Sequence, residues 1–267
     1  MKYQTEFVAE LQTVKPWNFG ASQAGQTVNW LLSDNEEMFW KLWQDPAYRP
    51  FAESQNWHQP GSIQYRINSE GFRGDEFDHT PCVLTLGCSF TIGIGLREQE
   101  IWPTLVANAL GLKSVNIAWG GIAADSCVRL AAYWIPKLKP KLVIMLSPPQ
   151  NRYEIFLDKL YAAASHCHEI EVIMPTSQHS LFINDQHHKH WWLNDLNSLH
   201  NQYRNSMTLK QICTENSTPC MIYDSIKAFG RSREEVGFAR DYMHAGAVGH
   251  KMLADEILND WHENKHT

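Results

Sequence analysis

Three residues of this chain have the types and settings for nucleophilic chemistry. Ser89 stands in "LTLGCSFTIGIG", residues 84 to 95, where a strand-like apolar run breaks into small and β-branched residues. Asp241 and His244 stand in "RDYMHAGAVGH" near the other end. A serine hydroxyl is a weak nucleophile at neutral pH and gains reactivity from an adjacent base whose tautomer is fixed by a third group. An Asp and a His three residues apart at the entrance to a helix suit that division of labour, with the carboxylate on one imidazole nitrogen and the other nitrogen facing outward. A lone D-x-x-H is more simply a capping Asp beside a surface His. A serine at the carboxyl end of a strand is what gives the pair a use.

Other chemistries for the glycine-rich stretch fail on its residues. A P-loop ends in Gly-Lys-Ser/Thr, whereas Gly95 is followed by Leu96 and Arg97. A dinucleotide fingerprint needs a glycine where Glu98 stands, and the G-x-S-x-G elbow needs one at Thr91. Seven of the 13 histidines fall between 166 and 200, yet their spacings match no zinc template, and a solvated loop is expected there in place of a metal site. Trp191 and Trp192 in the same insertion could stack on a sugar, although core packing is the simpler fate of tryptophan. Arg73 and Arg152 could meet an acidic substrate group or, more simply, form surface ion pairs. No cofactor and no metal are expected.

From Pro81 onward the chain alternates strand-length apolar runs with helical periodicity. "CVLTLG", "SVNIAW", "KLVIMLS" and "PCMIYDS" read as strands. Between and after them, helices are expected over "EQEIWPTLVANALGL", with Ile101, Leu105 and Ala109 on one face and Gly111 as the stop, over "AADSCVRLAAYWIPKL", and over "WLNDLNSLHNQYRNSMTLKQIC". A last helix, "AVGHKMLADEILNDW", is expected to turn Val248, Met252 and Ile257 inward. Such alternation implies an α/β fold, a parallel sheet covered on both faces, with ligands outside the carboxyl ends of the strands. Ser89 falls at such an end.

Residues 1–79 differ, being rich in tryptophan and turn residues, and are expected to form an N-terminal extension packed on a main domain of residues 80–267. Within it, Ser33 and Glu36 read as a capping box ahead of a helix burying Phe39 and Trp43, and "SIQYRIN" reads as a strand.

The bulk properties bound the partners. A chain of 267 residues with 43% hydrophobic and 19% charged residues is long enough for a full core. Its formal charge of −6 and the lack of a basic run argue against nucleic acid. No membrane-length apolar window and no signal-peptide stretch are seen. The six cysteines form no C-x-x-C and read as reduced thiols of a cytoplasmic protein.

The chain from about Thr80 to the last helix resembles the SGNH hydrolases, also called GDSL esterases and lipases. "LGCSFTIGIG" is similar to their G-D-S block, with Cys88 in place of the Asp; "DYMHAGAVGHKMLA" is similar to their D-x-x-H block; "VNIAWGG" resembles the block whose glycine, here Gly121, donates a backbone N–H to the oxyanion. "NSEGFRG", residues 68 to 74, is a weaker resemblance to a segment that precedes the first block in some bacterial and phage members. The resemblance implies a three-layer α/β/α, flavodoxin-like fold. It implies Ser89 as nucleophile, His244 as base and Asp241 as its orienter, with Ser89 and Gly121 as oxyanion donors, and it makes Cys88 an improbable nucleophile because that position points away from the acyl group. Where the family carries G-x-N-D, this chain has "SPPQNRYE"; Asn151 or Gln150 is the candidate third donor, or both cap a following helix. The expected activity is a serine esterase removing a short acyl group, such as acetyl, from a carbohydrate or other small-molecule ester. The alternatives are acyl transfer to a sugar hydroxyl and a binding module that keeps the fold without catalysis.

Overall fold

The structure is a computed structural model and describes residues 19–156, 170–173 and 194–264. Its strands and helices are, in chain order, β1 (Thr27–Val28), α1 (Glu36–Leu42), α2 (Arg49–Ser54), β2 (Tyr65–Arg66), β3 (Cys82–Gly87), α3 (Ser89–Ile92), α4 (Trp102–Ala109), β4 (Lys113–Asn116), α5 (Ala124–Leu138), β5 (Leu142–Ser147), β6 (Tyr153–Phe156), β7 (Ile170–Ile173), α6 (Asp195–Glu215), β8 (Cys220–Asp224), α7 (Ser225–Phe229), α8 (Arg233–Val236) and α9 (Ala247–Asn264).

The central sheet has the order β4-β3-β5-β8 and is parallel throughout, with Val83 opposite Leu142, Leu84 opposite Val115 and Met145 opposite Ile222. Counted along the chain this is 2-1-3-4, the flavodoxin-like order, in which the chain moves to one side of its first strand and then returns to the other. The reversal falls at the carboxyl end of β3, the place where sheets of this kind hold their ligands, and Ser89 begins α3 there.

Alternation along the strands builds two cores. Cys82, Leu84, Leu86, Val143 and Met145 face one cluster with Cys127, Leu130 and Trp134 of α5 and Leu209 and Cys213 of α6. Val83, Leu142, Ile144 and Leu146 face the other, with Trp102 and Val106 of α4 and Leu253, Ala254 and Ile257 of α9. The result is a three-layer α/β/α arrangement. Each fully buried Val, Leu or Ile in it contributes roughly 1.5–3 kcal/mol, so continuous apolar strands suffice to fix the central layer.

The segment before the sheet shares the first core. Leu31, Phe39, Tyr48, Trp57, Ile63, Tyr65, Ile67 and Phe72 are buried in the same cluster as β3 and α5. Along "SIQYRIN", Ile63, Tyr65 and Ile67 alternate inward, but ladder pairing with β1 is confined to Tyr65 and Arg66.

Three helix readings need correction. In α4 the fully buried face is Trp102, Pro103, Val106 and Ala107; Ile101 is buried just before the helix and Leu105 packs partly buried on the same side of the sheet, but Ala109 is exposed in the last turn. In α9, Ile257 is buried but Val248 and Met252 are 57% and 36% exposed; the inward stripe runs through His250, Leu253, Ala254 and Ile257 at three- and four-residue steps. The N-cap of α1 is Asn35, whose side chain accepts from the Met38 N–H, and Ser33 lies two residues before that cap with its hydroxyl turned to another partner.

Among the described residues no helix is long and apolar enough to cross a membrane. Cys82, Cys88, Cys127, Cys213 and Cys220 are free thiols.

Candidate active site

Ser89 is 9% exposed at the first position of α3, directly after the strand end and Cys88. The glycines beyond it have separate uses. Gly95, at φ +74°, takes a conformation disfavoured for other residues, and a Cβ there would lie 2.7 Å from the Arg240 nitrogen. Its carbonyl accepts that same Arg240 N–H at 3.0 Å. The glycine thus lets the loop carrying Asp241 and His244 close down on the loop that comes after Ser89.

Asp241 and His244 form a bonded pair, Nδ1 to Oδ2 at 2.6 Å. An ionised carboxylate can only accept, so Nδ1 carries the proton and Nε2 is left as the basic nitrogen. Oδ1 of Asp241 accepts the backbone N–H groups of Met243 and His244, each at 3.1 Å, and Oδ2 also accepts the Ser33 hydroxyl at 2.7 Å. Burial works to raise the Asp241 pKa, but the His244 bond and charge, the Ser33 hydroxyl and the Met243 N–H outweigh it and hold the group below the usual carboxylate range.

Phe90, the residue after Ser89, packs against the His244 ring, edge-on with centroids 5.1 Å apart. Among the described residues no hydrogen bond joins Ser89 to His244. Catalytic bonds are often long or poorly aligned without substrate and tighten in the complex.

The loop of Gly121 approaches from β4. Asn116 donates to the Thr91 carbonyl of α3 at 2.8 Å and accepts from the Ala118 N–H at 3.1 Å, tying that loop to the serine's helix. Gly121 adopts φ +80°, and among the described residues nothing lies within 4 Å of where its Cβ would be. The Cβ side of Gly121 is therefore clear of the other described residues. Gln150 and Asn151 lie half-buried in the turn after β5, and Arg152 of that turn reaches the Ile122 carbonyl at 3.5 Å. The turn leads into strand β6, so capping of a following helix is ruled out for both amides.

Two arginines brace these loops from beneath. Arg73 is fully buried and donates to the carbonyls of Ile92, Gly93 and Leu96 at 2.6–2.8 Å, with its guanidinium 4.5 Å from the Tyr65 ring centre. It is neither a substrate ligand nor a surface ion pair; it holds the turn after Ser89. Arg240 forms a two-point bond with Asp34, and Tyr65 bridges Asp34 to the Gly95 N–H. The Tyr48 hydroxyl donates to the Arg240 carbonyl at 2.6 Å.

His250 is buried and accepts the Trp102 N–H on Nδ1 at 3.1 Å; burial, helped by the nearby His244 and Arg73 charges, pushes it down to about 3. It is a neutral structural histidine. Cys88 is fully buried. No group of three His, Cys, Asp or Glu side chains suited to a metal occurs among the described residues. His200 is exposed on α6, while the other six histidines of the 166–200 stretch, with Trp191 and Trp192, lie outside the described residues.

Sequence reasoning missed Ser33, Asp34, Arg240, Tyr65 and Asn116. Their bonds span up to 211 positions of the chain, and a local pattern carries no trace of such pairing.

No family model matches the chain, and a search of curated proteins returns no significant match. Among solved structures the chain is similar to TesA, at 14% identity over 67% of this chain and 96% of that one with a TM-score of 0.36. It is also similar to a putative lipolytic protein of the G-D-S-L family from Desulfitobacterium hafniense DCB-2, at 14% identity over 65% and 95% of the two chains with a TM-score of 0.32. A third is a carbohydrate esterase whose active site is described as displaying divergent catalytic and non-catalytic binding functions, at 10% identity over 72% and 67% with a TM-score of 0.33. Overlaps this loose say nothing of chemistry in this chain, which rests on the geometry of its own residues.

Proposed function

We propose that this protein is a serine esterase that hydrolyses a short-chain acyl ester, such as an O-acetyl group on a carbohydrate, through an acyl-enzyme. The observation that carries the reading is the Asp241–His244 pair, bonded through Nδ1 at 2.6 Å and set edge-on to Phe90, the neighbour of a serine at a strand's carboxyl end. In this mechanism Ser89 Oγ attacks the acyl carbon while its proton passes to Nε2 of His244. The C=O electron pair moves onto oxygen, where the N–H groups of Ser89 and Gly121 receive it, with Asn151 or Gln150 as third donor. Collapse expels the alcohol, which takes the proton from His244. Water, deprotonated by the same nitrogen, then releases the acid and restores Ser89.

Asp241 stabilises the imidazolium that forms and keeps the reactive tautomer in place. A carboxylate below its usual range stays charged at every pH where the histidine is neutral.

One observation favours a second reading, a binding module without turnover: the described residues show no Ser89–His244 hydrogen bond. Turnover of p-nitrophenyl acetate, butyrate and octanoate separates the two. The esterase reading expects hydrolysis, fastest for acetate, and a loss on the order of 10⁴- to 10⁶-fold in Ser89→Ala. Equal background rates in both proteins would favour the binding module. Product partition toward an added sugar would mark the transferase variant.

A further inference from the structure

We infer that Ser33 is a positioning residue of the active site, a fourth member that acts through Asp241. The inference rests on the proposed esterase reading for its catalytic meaning. Ser33 Oγ donates to Oδ2 of Asp241 at 2.7 Å, from 208 positions away in the chain. That oxygen is the one bonded to His244 Nδ1.

The serine is held where it is from both sides. Leu31 and Asp34 close a tight turn around it, with Leu31 N–H to Asp34 carbonyl at 2.7 Å and Asp34 N–H to Leu31 carbonyl at 3.1 Å. Leu32 takes φ +56° in that turn, a left-handed conformation that a γ-branched residue rarely adopts and that its surroundings must hold in place. Its side chain lies where a Cβ on Gly120 would fall, beside the Gly121 loop. On the other flank Asp34 is locked to Arg240, the residue before Asp241. The turn therefore moves with the dyad's own loop.

A capping role for this hydroxyl is excluded, since Asn35 caps α1. With Ser33 in place, both oxygens of Asp241 carry two donors each, and the carboxylate is fixed in rotation with a lone pair aimed at Nδ1. Remove the hydroxyl and Oδ2 keeps His244 as its one donor among the described residues. More negative charge then faces the imidazole, which favours the imidazolium and raises the pH at which His244 gives up its proton. The ionisable groups around the pair are Asp34 and Arg240 beneath Asp241, Tyr48 and Tyr65 against those two, and His250 and Arg73 farther toward the core. All of them are present in every Ser33 variant.

The test measures two quantities in wild type, Ser33→Ala and Ser33→Thr: p-nitrophenyl acetate kinetics, and the His244 titration by ¹⁵N-edited NMR of the imidazole. Ser33→Ala is expected to lose on the order of 10- to 100-fold in kcat, the scale of one hydrogen bond to a charged group, with KM little changed. Its His244 titration is expected to move to higher pH. Ser33→Thr retains the hydroxyl and is expected to recover most of both. A His244 titration in Ser33→Ala that coincides with wild type would overturn the inference, as would a threonine variant as impaired as alanine. Should Ser33→Ala not fold, Ser33→Cys, with a weaker donor, is read by the same two criteria. Ser89→Ala assayed alongside keeps the two ideas apart: if it turns over like wild type the esterase reading falls, while the NMR titration still decides whether Ser33 positions the dyad.

Discussion

The Arg240 guanidinium meets the Asp34 carboxylate at two points, Nε to Oδ1 at 2.8 Å and Nη2 to Oδ2 at 2.6 Å, and the two side chains are 2% and 1% exposed. One partner precedes Asp241 directly; the other comes from the tryptophan-rich segment before the sheet. Burying such a pair costs desolvation, and removing one partner leaves an uncompensated charge. Asp34→Ala is therefore expected to lose about 3–5 kcal/mol of stability, measured by urea denaturation. Replacing both residues with apolar ones of similar size is expected to restore most of that loss, and a double variant as unstable as the single would contradict the uncompensated charge as its source.

Arg73 carries a second prediction. Its three carbonyl acceptors are fanned around one planar fork, which an ammonium on a flexible stem does not match. Arg73→Lys is expected to destabilise the fold by roughly 2 kcal/mol or more and to lower kcat, because the turn it holds comes directly after the serine. A lysine variant indistinguishable from wild type in melting and turnover would mean that charge alone is needed there.

The pH dependence of activity is set by the base. In the proposed mechanism His244 accepts the proton of Ser89 only when neutral, so kcat/KM is expected to rise with pH through one ionisation. Asp241, held below the usual carboxylate range, stays charged, and His250, pushed down to about 3, is neutral well below the ordinary histidine value of about 6.5. The acidic limb should survive in His250→Asn and vanish with activity in His244→Ala. A profile without an acidic limb would exclude His244 as the base.

Stability gives His250 a different signature. Its folded pKa of about 3 lies below the ordinary histidine value of about 6.5, so the unfolded chain binds the extra proton in between. The contribution to stability is complete above about pH 6.5 and is lost progressively as pH falls toward 3. Asparagine can still accept the Trp102 N–H without titrating. Thermal melts of His250→Asn are thus expected to fall less steeply than wild type from about pH 6.5 to 4, and parallel curves would contradict a buried neutral imidazole.

The strands and their parallel order were legible because continuous apolar runs have one use in an α/β chain, and β3 and β5 appear at the expected residues. Helix faces were less so: the α9 stripe was assigned through Val248 and Met252 because several apolar residues sit around that helix, and periodicity alone does not choose between overlapping stripes. In the site, the spacing of Asp241 and His244 was readable as a local turn, and the structure bonds them. A serine three residues before an acidic residue fits the capping-box pattern, so local sequence alone makes Ser33 a cap. Its real partner lies in a loop 208 positions on, where tertiary packing outweighs local propensity.

In the proposed mechanism the third oxyanion donor is Asn151 or Gln150, two amides in one turn. Asn151→Ala is expected to lower kcat by about 10²-fold or more if its side chain meets the oxyanion, with KM little affected. Loss confined to Gln150→Ala would assign the role to that residue instead, and full activity in both would leave the hole with its two backbone donors.

The central claim is that Ser89 is the nucleophile, and covalent capture tests it most directly. Incubation with a serine-reactive alkyl phosphonate, followed by proteolysis and peptide mass mapping, is expected to yield one adduct on the peptide containing Ser89. The adduct should be absent in Ser89→Ala and formed far more slowly in His244→Ala. An unlabelled protein, or an adduct on any other residue with Ser89 unmodified, would contradict the account.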